Sequence, residues 1–241
     1  MISNTELINL LKQGAQGLNI NISDIQAGKF MQYMSLLKEW NTKVNLTAIE
    51  DEEGIIIKHF IDSLTILPCI EENASVIDIG SGAGFPGIPL KIMNPSIELT
   101  LLDSLEKRIK FLNEVISRVK LDRVNAVHGR AEDFGKDGSY REKFSYSIAR
   151  AVANLPVLLE YCIPFVKIGG CFIAMKGRNT AQEIEESKKA LDVFGGEITE
   201  IKEFILPYTD SKRTIIIIKK LRQTPTSYPR KSGKPSKNPL K

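Results

Sequence analysis

The sequence predicts a doubly wound α/β fold: a mostly parallel sheet with helices on both faces, preceded by a helical N-terminal extension. Three features point there. From residue 74 onward, short apolar runs alternate with amphipathic stretches in five strand–helix units, the pattern of parallel crossovers. A glycine-rich turn, residues 80–87, directly follows the first apolar run. Two further runs, 197–206 and 214–219, read as a closing hairpin.

The elements follow in order. Ser23 and Gln26 have capping-box spacing. Phe30, Tyr33, Met34, Leu37 and Trp40 then recur at helical spacing, so one helix face is apolar and Trp40 is expected in the core. Residues 41–47 read as a polar loop and 53–60 as a second helix. Strands are predicted over 76–79, 98–102, 125–128, 144–149 and 171–175, the last entered through Gly169-Gly170. Helices are predicted over 90–93, ended by Asn94-Pro95, and over 155–162 and 180–190. Another helix carries Leu105, Ile109, Leu112, Val115, Ile116 and Val119 on one face. The expected organisation is a helical extension over 1–70, a ligand-binding α/β domain over 71–221 and a basic, proline-rich arm over 222–241. The arm has few large apolar side chains and cannot build a core of its own, so it is extended or lies over the body.

Composition excludes several classes. The chain has 241 residues and is 42% hydrophobic, enough for an α/β domain of ordinary size with no disulfide or metal staple. No run approaches the roughly 18 apolar residues of a membrane helix. The first residues lack the basic and apolar blocks of a signal peptide, so a soluble cytoplasmic protein is expected. Three cysteines, Cys69, Cys162 and Cys171, show no paired spacing, and with two histidines no metal site is expected. Residues 212–241 hold ten Lys or Arg and no acid, so the first 211 residues carry a net charge of −6. A basic end on such a body points to a polyanion partner.

The turn Asp78-Ile79-Gly80-Ser81-Gly82-Ala83-Gly84-Phe85-Pro86-Gly87 contains the spacing Gly82-x-Gly84-x-x-Gly87, which suits close approach of backbone to an adenosine-containing ligand. Asp103 ends the next strand, 21 residues after Gly82, where a carboxylate holds a ribose diol. Asp78 would repel a pyrophosphate and attract an ammonium group, which favours S-adenosylmethionine over a nicotinamide cofactor. The other reading is that Asp78 caps the turn and Asp103 the next helix.

The loop after the fourth strand reads Ala149-Arg150-Ala151-Val152. It has no cysteine for cytosine C5 methylation and no Asn/Asp-Pro-Pro-aromatic run for transfer to an exocyclic amine. Guanine N7 has an in-plane lone pair and no proton to remove, so orientation without a general base suffices there. Arg150 either stacks on a purine or pairs with a strand-end acid. His59 and Asp62 either form a hydrogen-bonded pair shaping the pocket or make an ordinary helix-end contact. His128 reads as a strand-end residue.

The segments Trp40-Asn41-x-Lys43-x-Asn45-Leu46-Thr47, Lys58-His59-x-x-Asp62-Ser63, Asp78 to Leu90, Leu102-Asp103-Ser104, His128-Gly129-Arg130-Ala131-Glu132, Ala149-Arg150-Ala151 and Thr224-Pro225-x-x-Tyr228-Pro229-Arg230 resemble the bacterial 16S rRNA guanine-N7 methyltransferases, long called glucose-inhibited division protein B. The match spans about residues 40–240. It implies a Rossmann-like class I methyltransferase fold, S-adenosylmethionine as donor, and N7 of one guanine in small-subunit rRNA as acceptor. It implies cofactor contacts at Gly80, Phe85, Ala131, Glu132 and Arg150.

Together these readings assign Asp78, Gly80, Gly82, Gly84, Phe85, Asp103, Ala131, Glu132 and Arg150 to the cofactor. They assign Arg150, His59 and Asp62 to the acceptor pocket. Arg222, Arg230, Lys231, Lys234 and Lys237 are assigned to RNA phosphates, and removing the arm should weaken RNA binding with cofactor affinity kept. The expected partner is 16S rRNA in the small ribosomal subunit, with no membrane and no metal, and the expected state is a monomer. The competing readings are a nicotinamide-dependent oxidoreductase, a non-enzymatic ribosome-binding factor and a small-molecule methyltransferase.

Overall fold

The run Ile215–Ile218 shows no polar alternation because both of its faces are covered. Ile215 joins one apolar cluster and Ile216 and Ile218 the other. The same parity holds along the sheet, with Val76, Leu99, Leu101 and Ile148 on one face and Ile77, Ile79, Phe172 and Ala174 on the opposite one. The computed structural model describes residues 3–177 and 180–241. Its strands are β1 Ser75–Ile79, β2 Glu98–Asp103, β3 Val124–His128, β4 Phe144–Arg150, β5 Val166–Lys176, β6 Gly196–Ile205 and β7 Lys212–Lys220. They form one sheet in the order β3-β2-β1-β4-β5-β7-β6, in which only the pairings of β7 are antiparallel.

The N-terminal helices form one layer over the sheet. Capping boxes at Ser3 and Ser23 open α1 Asn4–Gln16 and α2 Asp24–Asn41. The predicted helix over 53–60 is a composite: α3 Glu52–Ile55, a π-helical turn Ile56–Ile61 and α4 Asp62–Leu64. With α5 Gly87–Met93 and α6 Glu106–Val119, these bury Leu11, Phe30, Phe60, Leu90 and Leu112 in one cluster with the sheet. The first 70 residues therefore have no separate core. After α7 Ala131–Phe134, a single turn, the other face is covered by α8 Leu155–Cys162, α9 Thr180–Glu186 and α10 Lys188–Phe194.

Two boundaries differ from expectation for local reasons. The helix predicted over 180–190 breaks at buried Ser187, whose hydroxyl donates to the Glu183 carbonyl at 2.6 Å. β5 begins five residues earlier than expected, because Gly169 and Gly170 continue the strand through a register shift rather than ending it. A Cβ at Gly170 would lie 2.5 Å from the Ser145 carbonyl oxygen.

The 222–241 segment lies over the body. Arg141 donates to the carbonyls of Thr224 at 2.6 Å and Tyr228 at 2.8 Å. Tyr228 packs edge-on against Phe194, and a short helix, α11 Lys234–Lys237, follows.

The glycine turn is pinned by the N-terminal layer, since the buried Tyr33 hydroxyl donates to the Ala83 carbonyl. Gly84 has φ +93, and a Cβ there would lie 2.6 Å from Ile88 Cγ1 and 2.9 Å from Tyr33 Oη. Gly84→Ala should destabilise the fold by about 2–4 kcal/mol, combining left-handed strain with overpacking, as measured by urea unfolding.

Candidate active site

The carboxyl ends of β1, β2 and β4 meet at two adjoining cavities, the place where an open α/β sheet binds ligands. The N–H groups of Gly80 and Ser81 donate to the Leu102 carbonyl at 2.8 and 3.2 Å, tying the turn to β2. The Gly82 N–H donates to Asp103 Oδ2 at 2.9 Å. Asp103 Oδ1 accepts the Leu105 N–H at the start of α6, and Arg108 pairs with Oδ2 at 3.2 Å. Asp103 thus holds the turn leading into α6 without capping the helix itself, and it also borders the first cavity, of about 310 Å³. Gly80, Ala131, Glu132, Val152 and Tyr161 share that lining. Gly80 has φ +71, and a Cβ there would meet Val152 Cγ2 at 2.8 Å.

Asp78 corrects the expectation for it. It is fully buried and lines neither cavity. Its Oδ2 accepts the Gly87 N–H at 2.9 Å, and its Oδ1 has no partner among the described residues. Burial pushes its carboxyl up to about 7. Strand parity with Val76 turns it into the helical layer, so it caps α5 instead of facing a ligand. Gly82 and Gly84 also line neither cavity; they shape the turn.

The second cavity, of about 370 Å³, is lined by Lys58, His59, Asp62, Arg150, Lys176 and Arg213, among others. The Asp62 carboxylate is 4% exposed and takes two arginines, Arg150 at 2.9 Å on Oδ2 and Arg213 at 2.7 Å on Oδ1. Arg150 also donates to His59 Nδ1 and to the Lys58 carbonyl, both at 3.2 Å. Its guanidinium carbon lies 5.0 Å from the Phe85 ring centre, and His59 stacks on the same ring at 4.4 Å. Phe85 thus lies beneath both residues and lines neither cavity.

His59 and Asp62 are not bonded to each other, contrary to one expectation; Arg150 joins them. An arginine only donates, so His59 Nδ1 accepts and its Nε2–H donates to Thr47 Oγ1 at 2.7 Å. Burial and the Arg150 charge lower the imidazole pKa to about 3. Arg150, expected at the cofactor, lines the second cavity only. Ala151, with φ +56, belongs to both cavities and is their common wall.

Arg213 and Thr47 were not singled out as site residues. Arg213 lies 151 residues from its partner, and no local pattern marks it. Trp40 packs at 5.7 Å against Phe111, and the His128 ring sits 3.1 Å from the carbonyl oxygen of Ser104, a residue of the first cavity's wall, without lining either cavity itself.

The basic arm also differs from expectation. Arg230 is not free for phosphate: its side chain clamps the buried Glu160 carboxylate at 2.6–3.1 Å, and its N–H adds a bond of 2.7 Å. Arg222 pairs with Asp192 at 2.8 Å. Lys231, Lys234 and Lys237 are exposed. Among the described residues no cluster of His, Cys, Asp or Glu is placed to hold a metal ion, and no helix is long and apolar enough to cross a membrane.

This sheet order, with two cavities at the carboxyl ends of its parallel strands, is a Rossmann-like methyltransferase fold. A SAM dependent methyltransferase from Aquifex aeolicus superposes with a TM-score of 0.54 at 16% identity, covering 72% of this chain and 96% of that one. M. jannaschii TYW2 in complex with AdoMet gives 0.50 at 15% identity, over 65% of this chain and 72% of that one. The family model of rRNA small subunit methyltransferase G, GidB, matches residues 26–215. Ribosomal RNA small subunit methyltransferase G of Acetivibrio thermocellus is 63% identical over 98% of this chain and 97% of its own length. The protein of the same name from Alkaliphilus oremlandii is 54% identical over 98% and 100%. The chain belongs to this methyltransferase family.

Asp62→Ala should cost about 3–5 kcal/mol in urea unfolding, because two arginines lose their shared, buried carboxylate. His59 carries a pH signature. Its folded pKa of about 3 lies below the ordinary 6.5, so between these values the unfolded chain binds the extra proton. Its contribution to stability should rise with pH across that window and level off above it. His59→Gln should remove that part of the slope in unfolding measured from pH 4 to 7.

Proposed function

We propose that the chain transfers a methyl group from S-adenosyl-L-methionine to N7 of a guanine in 16S rRNA, acting as a cytoplasmic monomer on the small ribosomal subunit. The observation that carries this reading is the pair of cavities joined at Ala151, with no free general base on the acceptor side among the described residues. Both ring nitrogens of His59 are engaged and its pKa is about 3, so it is neutral and already bonded at physiological pH. That suits an acceptor whose lone pair needs no deprotonation. The family and the names of its members support RNA as the substrate and leave a nicotinamide oxidoreductase without support.

The first cavity fits the donor. Asp103 and Glu132 are 2% and 5% exposed and offer carboxylate oxygens to hydroxyl and amine groups, while the Gly80 backbone leaves no side chain in the way. Gly80, Asp103, Ala131 and Glu132 would hold the donor, which supplies a sulfonium-bound methyl group for direct displacement. The chain's own task is orientation, which is worth roughly 7–11 kcal/mol of barrier in well-aligned reactions. Arg150 is held at three points with its side chain 12% exposed, so it presents a fixed planar donor to a purine entering the second cavity. Lys58, Lys176 and Arg213 add positive charge around it. The exposed Lys231, Lys234 and Lys237 supply phosphate contacts.

Radiolabelled S-adenosylmethionine and subunits lacking the modification test this directly. Label should appear at N7 of a single guanine in 16S rRNA; no label in any RNA would leave a non-enzymatic factor. The turnover pH profile should show no ionisation near 6–7 from His59. Arg150→Ala should lower kcat/KM about 100-fold or more, the loss of roughly 2.7 kcal/mol of transition-state stabilisation. Replacing Lys231, Lys234 and Lys237 together by Ala should reduce the salt slope of RNA binding by about 2, at roughly 0.7 per contact.

A further inference from the structure

We propose that the C-terminal tail is a working part of the donor site, and that the Gly233 N–H positions the Glu132 carboxylate there. The inference rests on reading the first cavity as the donor site. Glu132 lies on α7, a single turn of four residues that cannot fix a side chain unaided. Its Oε1 accepts the Gly233 N–H at 2.9 Å. Its Oε2 accepts no protein hydrogen bond among the described residues, and Glu132 lines the cavity. One oxygen is therefore held and the other is left for a ligand.

The tail reaches Gly233 through successive anchors. Glu142 takes both the Lys220 ammonium at 2.7 Å and the Thr224 N–H at 3.1 Å. Arg141 fixes the carbonyls of Thr224 and Tyr228. Buried Pro229 sits over Gly135, where a Cβ would lie 2.9 Å from the proline Cγ. Arg230 then clamps Glu160, a residue of α8 that is 1% exposed. The anchors at Glu142, Arg141 and Glu160 each consume a buried or half-buried polar group of the body, which a solvated tail would not do. The final turn has φ +80 at Gly233, whose N–H donates to Glu132. Glu132 is a member of the donor wall, and the tail acts on the ligand through it, as a supporting shell fixes a binding group. Removing the tail should therefore lower cofactor affinity, the reverse of what its composition alone suggests.

Calorimetric titration with S-adenosyl-L-homocysteine, the demethylated donor, tests this without turnover. The variants are the chain ending at Ser232, Gly233→Val, Glu132→Ala, and each of the first two combined with Glu132→Ala. A side chain at Gly233 would meet open space, so Gly233→Val moves the N–H by its disfavoured φ without removing the tail. The ligand-free melting temperature of each variant separates loss of the contact from loss of the fold. Both tail variants should bind about fivefold or more weakly, with nearly unchanged melting, and neither should weaken the Glu132→Ala protein further. Unchanged affinity in Gly233→Val would overturn the proposal, as would an equal loss in the Glu132→Ala background. Full affinity in Glu132→Ala alone would instead overturn the donor-site assignment of Glu132 on which the proposal stands.

Discussion

The site depends on one carboxylate shared by two arginines. Asp62 is buried, and a buried carboxylate facing a single partner is barely compensated for its lost hydration. Here Arg150 and Arg213 each take one oxygen, so both oxygens are paired with a charge. The three residues come from α4, the end of β4 and the start of β7. The contact therefore joins the helical N-terminal layer to two separated strands, and it fixes the plane of Arg150 over Phe85. The π-helical turn just before Asp62 carries His59 toward the same guanidinium, an example of a π turn placed at a functional site.

The two cavities divide the chemistry. On the proposed reading, the donor side is built by the glycine turn, Asp103 and the short helix bearing Glu132. The acceptor side is built by the N-terminal layer and β7. They meet at Ala151, a non-glycine residue held at positive φ, and such strain persists where surrounding contacts over-determine a loop. Val152, the next residue, packs against Gly80, so the position of the wall follows the position of the glycine turn. Tyr33 holds that turn from α2. The helical extension is thus part of both sides of the site.

Much of this was legible in the sequence, because sheet parity, glycine spacing and the Ser23 capping box are local signals. The strands lie close to their expected places, and Asp103, expected 21 residues after Gly82 at the end of the next strand, accepts the Gly82 N–H. Charge alone places Asp78 at the ligand, whereas its parity with Val76 turns it into the helical layer, where it accepts the Gly87 N–H. Arg213 and the Arg150–Asp62 pair were not legible, since only folding brings residues 151 and 88 positions apart into contact. The tail was read by composition as lacking a core. It borrows one instead, with Tyr228 on Phe194 and Pro229 on Gly135, and it turns Arg230 inward to Glu160. Charge counting has no means of telling a phosphate-binding arginine from one already paired.

The most direct test is single-turnover methyl transfer to unmodified small subunits by Arg213→Gln, Arg150→Ala and the double variant, with S-adenosylhomocysteine affinity measured alongside. If Arg213 acts by holding Asp62 against Arg150, its loss should slow transfer about tenfold and add little once Arg150 is gone. Donor affinity should stay unchanged throughout, because neither arginine lines the first cavity. A wild-type rate in Arg213→Gln, or losses that multiply in the double variant, would contradict the shared-carboxylate account.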